Sequence, residues 1–316
     1  MTYVLALAGG VGGAKLALGL ARVLSPKELT VVVNTGDDEE FHGLHVSPDL
    51  DTVMYTMAGV VNPNTGWGYA GDTFNALNAI GQYGSSVWFN LGDKDLATHL
   101  VRSQLIKEGR TLSQVTDILC SALGVKHQVV PMSDGRIRTI VETEEGDLPF
   151  QTYFVKRRCE PKVKGFRYEM APDVIPSPKF ESSLQATDLS GIIFCPSNPF
   201  LSIAPILMLP GIKAKLQATN RTRIIVSPIV GDQALRGPAA KIMTELGYEV
   251  SCLEVARQYQ GLCDVFVIDP VDQQYAQKIA DLGMRPEIYP TVMDQEEDKT
   301  TLAKHIIAML AQTEGL

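Results

Sequence analysis

Two stretches of this chain carry residue types suited to chemistry on phosphate groups. The first is Gly9-Gly10-Val11-Gly12-Gly13-Ala14-Lys15, where a short apolar run empties into four glycines and a helix-like pattern follows from Ala14 to Leu24. Glycine lets an anion approach backbone N–H groups, and a helix N-terminus adds roughly half a positive charge there. Lys15 supplies a whole one. The run departs from the dinucleotide fingerprint, which needs a glycine at Lys15, and from the P-loop, which needs Gly-Lys-Ser/Thr. A turn whose glycines merely allow close packing is the other reading. The second stretch, Asn34 to Asp51, holds six acids between Asp37 and Asp51, with His42 and His45 and no lysine or arginine. Six carboxylates beside a phosphate turn would repel the ligand, and a divalent cation resolves that conflict. Mg²⁺ takes one or two carboxylates plus phosphate oxygens. Asp37 and Asp51 are the candidate ligands. Glu39 and Glu40 read as a solvated face, the two histidines as surface hydrogen-bonders, and Asp49 as the cap of a helix beginning near Leu50.

Two further clusters stand at strand-to-helix junctions. In Leu91-Gly-Asp-Lys-Asp-Leu-Ala-Thr-His99, Asp93 reads as the N-cap of a helix whose apolar face is Leu96, Leu100 and Leu105, and Lys94 as pointing into the same cleft. In Cys195-Pro-Ser-Asn-Pro-Phe-Leu-Ser-Ile203, Ser197, Asn198 and Ser202 offer neutral groups suited to a base or ribose edge. An ordinary Asx/Ser-Pro turn explains them as well.

The elements that must position these residues follow a βαβ rhythm. Buried strands are expected at Tyr3–Ala8, Leu29–Asn34, Val87–Leu91, Gly191–Cys195, Arg223–Ser227 and Asp264–Ile268. Helical patterns run through Leu96–Leu105, through Ala239–Leu246 after Pro238, and through Tyr275–Leu282 before Gly283. The expected fold is α/β, a Rossmann-like, mostly parallel sheet. Arg138–Glu142 and Pro149–Val155 read as strands without an intervening helix, so a smaller α+β lobe is inserted. The organisation is 1–125, phosphate- and acceptor-binding; 126–185, the lobe; and 186–316, the second part of the core. A net charge of −8 argues against nonspecific binding of nucleic acid or membrane surface. Five scattered cysteines without a Cys-x-x-Cys pair suit reduced thiols in a cytoplasm. No basic leader or long apolar run indicates export or membrane insertion. By base rates, a homodimer is expected.

Seven blocks now carry a resemblance: Gly-Gly-Val-Gly-Gly-Ala-Lys, Val-Asn-Thr-Gly-Asp-Asp, Ser-Pro-Asp-Leu-Asp-Thr at 47–52, Leu-Gly-Asp-Lys-Asp-Leu-Ala-Thr-His, Pro-Met-Ser-Asp at 131–134, Pro-Ser-Asn-Pro and Val-Ser-Pro-Ile-Val-Gly at 226–231. In this order they resemble the 2-phospho-L-lactate transferase family of coenzyme F-420 biosynthesis. The resemblance implies Mg²⁺-dependent transfer of a phospholactyl or phosphoenolpyruvyl group from a guanosine diphosphate donor to the deazaflavin Fo (7,8-didemethyl-8-hydroxy-5-deazariboflavin), with release of GMP. It implies that Asp51 and Lys94 contact the deazaflavin and serve catalysis, that Gly10, Gly12 and Gly13 meet the diphosphate, and that Ser197 and Asn198 meet the guanosine. Lys15, Asn34 and Asp93 join the substrate-binding positions. Trp67 and Tyr69, followed by Asp72 and Thr73, flank the deazaflavin ring, or else Trp67 packs in the core. Two alternatives are a nucleotide-sugar-binding regulator, which shares the glycine-rich start, and a nicotinamide oxidoreductase. Against the second, Asn34 stands where a ribose-binding acid would end the second strand.

Overall fold

In a computed structural model of the protein, residues 3–235 and 237–313 are described. Strand β1 (Tyr3–Ala8) and strand β2 (Leu29–Val33) are buried along their whole length. Such all-apolar runs need cover on both faces, which only a parallel sheet flanked by helices provides. Alternation then sorts the side chains: Leu5 and Leu7 enter one core, while Val4, Ala6 and Ala8 enter the other. The sheet has seven parallel strands in the order 285–288, 265–268, 222–226, 189–194, β1, β2, 128–131. Chain order reverses between β1 and Leu189–Phe194. At such a point the loops leaving adjacent strands part and open a crevice. Here those loops are the glycine turn and Cys195–Ser202.

Helix α1 (Gly10–Val23) follows the glycine turn, and Gly19 lets the backbone of the C-terminal helix cross it, because a Cβ there would collide with the Lys299 carbonyl. Helix α2 (Pro48–Ala58) follows the acidic stretch, which itself folds back as a short hairpin, Glu39–Phe41 with Leu44–Val46. Helices α3 (Asn75–Gln82) and α4 (Asp93–Lys107) close that side. Among the described residues no single helix is long and apolar enough to cross a membrane.

Three expectations change. Val87–Leu91 forms no strand: Phe89 stacks on Phe41 of the hairpin with centroids 4.1 Å apart, and Trp88 meets it edge-on, so these aromatics pack without sheet pairing. The strand beside β2 is instead Gln128–Pro131. In the inserted region, Ile137–Thr143 pairs antiparallel with Gly146–Pro149 and Val163–Met170. The expected strand Pro149–Val155 ends at Pro149, and residues 152–156 are helical, which brings Phe150 and Phe154 into a stack at 5.3 Å. Finally, α4 is rotated from the expected face: Leu105 still packs on the core, but a polar stripe is buried more deeply. Leu100 is 52% exposed, whereas Thr98, His99 and Arg102 are buried.

Candidate active site

A cavity of about 880 Å³ opens at the reversal point between β1 and Leu189–Phe194. Its wall includes Gly10, Gly12, Lys15, Asp37, Asp51, Trp67, Ser197 and Asn198, so most of the expected positions converge. Gly13, Asn34, Asp93 and Lys94 are not on that wall.

The glycine turn is held by close packing. A Cβ on Gly12 would run into the Pro196 carbonyl, and one on Gly13 would meet Ser197 Oγ and Ala8. The Gly9 N–H donates to Ser197 Oγ at 3.1 Å. The close-packing reading therefore holds for these glycines, and the same contacts bring the two loops of the crevice together. Gly10 sits at φ +63°, where glycine is favoured. Asn198 Oδ1 accepts from Phe200 N and Leu201 N, so its carbonyl caps the next helical turn. Lys15 Nζ donates to the Met293 carbonyl at 2.6 Å.

Asn34 is a buried tie. Its amide donates to Asp37 Oδ1, Asp49 Oδ2 and the Leu201 carbonyl, and its Oδ1 accepts from Gly36 N. Asp49 does not cap α2, whose first turn begins at Pro48. Its carboxyl reaches across to the glycine turn. Burial pushes it up to about 6, partly offset by hydrogen bonds from Asn34, the Gly10 N–H and Ser202. Asp37 lies well above the usual carboxylate range, because it is buried and faces the charges of Asp49, Asp38 and Asp51.

The floor of the cavity comes from α2 and α4. Arg102, 2% exposed at its side chain, forks onto Asp51: Nη1 donates to Oδ2 at 3.0 Å and Nη2 to Oδ1. The same Nη1 is 3.1 Å from His99 Nδ1. A guanidinium has no lone pair, so Nδ1 accepts and the proton of a neutral His99 ring sits on Nε2. That Nε2 is buried, with Asp95 Oδ1 3.3 Å away as a charge contact and no aligned hydrogen bond. Tyr55 donates to Asp95 at 2.7 Å. Burial raises Asp95, yet His99, Tyr55 and Arg102 together hold it below its ordinary value. Tyr55, Asp95 and His99 all face the cavity.

The α3–α4 junction is built differently. Asp93 is the first residue of α4, not its cap, and accepts from Asn75 N and Ala76 N at the start of α3. The hydrogen bond from Thr73, then those from α3, hold Asp93 down to about 2. Asp72 returns the favour, accepting from Lys94 N and Asp95 N. The Lys94 ammonium points back to the Ala70 and Gly71 carbonyls, 3.3 Å from each. Tyr69 leans on Tyr55 with centroids 4.4 Å apart, behind the wall.

The sequence took Asp49 for a helix cap and gave no site role to Tyr55, Asp95, His99, Arg102 or the wall aromatics Phe89, Phe150 and Phe154. One local signal for three of them was present: 95, 99 and 102 fall at i, i+4 and i+7, a polar stripe along one helix face.

Among the described residues the side chains that could hold a metal group two carboxylates with one histidine. Asp51, Asp95 and His99 offer ligand atoms within 4.8 Å of one another, but Arg102 holds His99 Nδ1 and the proton occupies Nε2. The carboxylates are crowded, buried and partly unsatisfied, with Asp38 Oδ1 lacking any hydrogen-bond partner. Oxygen ligands of this kind suit a hard divalent cation.

A glycine turn, a carboxylate floor and a crevice at a strand-order reversal define an α/β protein that handles phosphate-bearing ligands. Residues 4–310 match the family described as 2-phospho-L-lactate transferase CofD, and the chain belongs to that transferase family. It is 40% identical over 305 residues to a 2-phospho-L-lactate transferase of Methanocaldococcus jannaschii, covering 95% of this chain and 96% of that one. It is 37% identical over 312 residues to a phosphoenolpyruvate transferase of Streptomyces griseus, with 97% and 98% covered. Among solved structures, a UPF0052 family member from Bacillus halodurans shares the fold at a TM-score of 0.64 and 17% identity, covering 97% of this chain and 99% of that one. The regulator and the nicotinamide oxidoreductase alternatives find no support in these matches.

Proposed function

We propose that this transferase of coenzyme F-420 biosynthesis moves a 2-phospho-L-lactyl or phosphoenolpyruvyl group from a guanosine diphosphate-linked donor to a ribityl hydroxyl of Fo. The hydroxyl oxygen forms a bond to the phosphorus that bears the carboxylic-acid group. The bond from that phosphorus to the bridging oxygen breaks, GMP leaves with the oxygen, and the hydroxyl proton is released. The observation that carries the reading is the facing of the glycine turn by a buried carboxylate floor within one cavity.

Such a transfer asks the protein for positioning and charge neutralisation. In this reading the turn at Gly10 and Gly12 seats the diphosphate, Lys15 stands beside it, and Ser197 and Asn198 lie toward the guanosine. Asp51 orients the acceptor, and Trp67 with Phe89, Phe150 and Phe154 supplies flat apolar surface for its ring system. Asp37 and Asp51 would hold Mg²⁺, which neutralises phosphate charge when bound. Asp93 and Lys94 enter indirectly, by fixing the 70–76 segment. The same reading has the protein acting as a cytoplasmic homodimer, which light scattering and cell fractionation test.

The deciding assay supplies purified protein with Fo, Mg²⁺ and each synthetic guanosine donor, and follows GMP release and the phosphorylated deazaflavin. Turnover with one donor supports the reading and selects between phospholactate and phosphoenolpyruvate. No turnover with either rejects it. An adenosine analogue should be the poorer donor, because a base edge matched to guanine leaves buried polar groups unpaired with adenine.

A further inference from the structure

Among the described residues Arg102 is the one arginine or lysine that is buried, and it lies against the buried carboxylates Asp51 and Asp38, with Asp95 beside it. Its fork takes both oxygens of Asp51, its Nη1 also reaches His99 Nδ1 and, at 3.4 Å, the His45 carbonyl, and its Nε has no partner. Arg102 thus occupies the electrostatic place that a divalent cation would take at Asp51.

We propose that Arg102 is an internal counter-cation that competes with the divalent metal for Asp51 and so sets how tightly the metal is held. The inference rests on the carboxylate metal reading above. With Arg102 in place, Asp51 keeps a defined orientation before any ligand arrives, and His99 keeps its proton on Nε2. Metal entry then requires Asp51 to share an oxygen that the guanidinium already holds. A unit positive charge at hydrogen-bonding distance from a ligand carboxylate weakens cation binding there by at least about tenfold. Arg102 is a positioning residue in this scheme and touches no reacting atom.

The scheme predicts effects of opposite sign, which a merely structural role would not produce. Mn²⁺ binding to the substrate-free protein is titrated by the paramagnetic resonance of the free aqueous ion, and turnover is measured separately. Arg102→Met should bind Mn²⁺ at least about tenfold more tightly, because only one of two cations remains, while kcat falls as Asp51 and His99 lose their orientation. Arg102→Lys keeps the charge but not the fork. It should bind Mn²⁺ a few-fold more tightly and also lose turnover. Adding Asp51→Asn to Arg102→Met should remove the gain. Unchanged or weaker Mn²⁺ binding in Arg102→Met overturns the proposal, and if that variant does not fold, binding no tighter than wild type in Arg102→Lys does the same. Mn²⁺ bound by neither the wild type nor either variant rejects the metal reading itself.

Discussion

The acids of the 37–51 segment and the acids at the α3–α4 junction are the same residue types, and their surroundings make them opposites. Asp72 and Asp93 each receive backbone N–H groups from the other's helix and sit near solvent, so their charge is fully answered. Asp37 and Asp49 are buried among like charges, and burial drives both upward. The first pair is structural, a reciprocal capping of two helices. The second group is held in a state that favours a proton or a cation, a common condition of sites that act on ligands. The lesson is that an aspartate's role follows from its count of donors and its access to water.

The sharpest way to break this contrast is Asp51→Asn. It should lower kcat at least about a hundredfold through lost charge stabilisation, and leaving Arg102 uncompensated should cost about 3 to 5 kcal/mol of stability. Wild-type kcat with a lowered melting temperature would place Asp51 with the structural acids.

Asp49 tests the same group through pH. Its folded value of about 6 stands above the unfolded value of 3.8, so the folded state binds more protons between them. Stability from this group is therefore full below pH 3.8 and is lost as pH rises through 6, by up to about 3 kcal/mol. Asp49→Asn in metal-free protein should flatten that fall in urea melts between pH 4 and 7. An unchanged slope would show that Asp49 is not held as described.

At the junction, Asp72→Ala should cost about 1 kcal/mol, as loss of a helix cap does, with kcat within about twofold of wild type. A large fall in kcat with full stability would move Asp72 into the site. The smallest effect belongs to Lys94→Ala, which frees the 70–71 carbonyls. It should raise the Michaelis constant for Fo a few-fold and leave turnover nearly unchanged, the pattern of ground-state binding weakened through the loosened 70–71 segment. A large fall in turnover at unchanged Fo affinity would instead put the ammonium on the transferring group.

The sequence was legible where the governing physics is local. Unbroken apolar runs such as Val31–Val33 and Gly191–Phe194 demand burial on both faces, so the parallel sheet and the crevice at the end of β1 follow from them. The glycine turn, the polar loops beside it and the family resemblance were likewise readable along the chain. The orientation of α4 was not. Its leucines at 96, 100 and 105 suggested an inward apolar face, yet the polar stripe faces in, because Arg102 meets Asp51 and Tyr55 meets Asp95 from positions 51 and 40 residues away. Periodicity shows that a helix has two faces, but the choice of the buried one rests on charges supplied by another helix. The same holds for Asp93 and Lys94, whose partners lie around the start of α3, and for Asn34, which ties the acidic segment to the Leu201 carbonyl. Pairing energies of this kind depend on distance in space, and only the tertiary structure brings those groups within reach of one another.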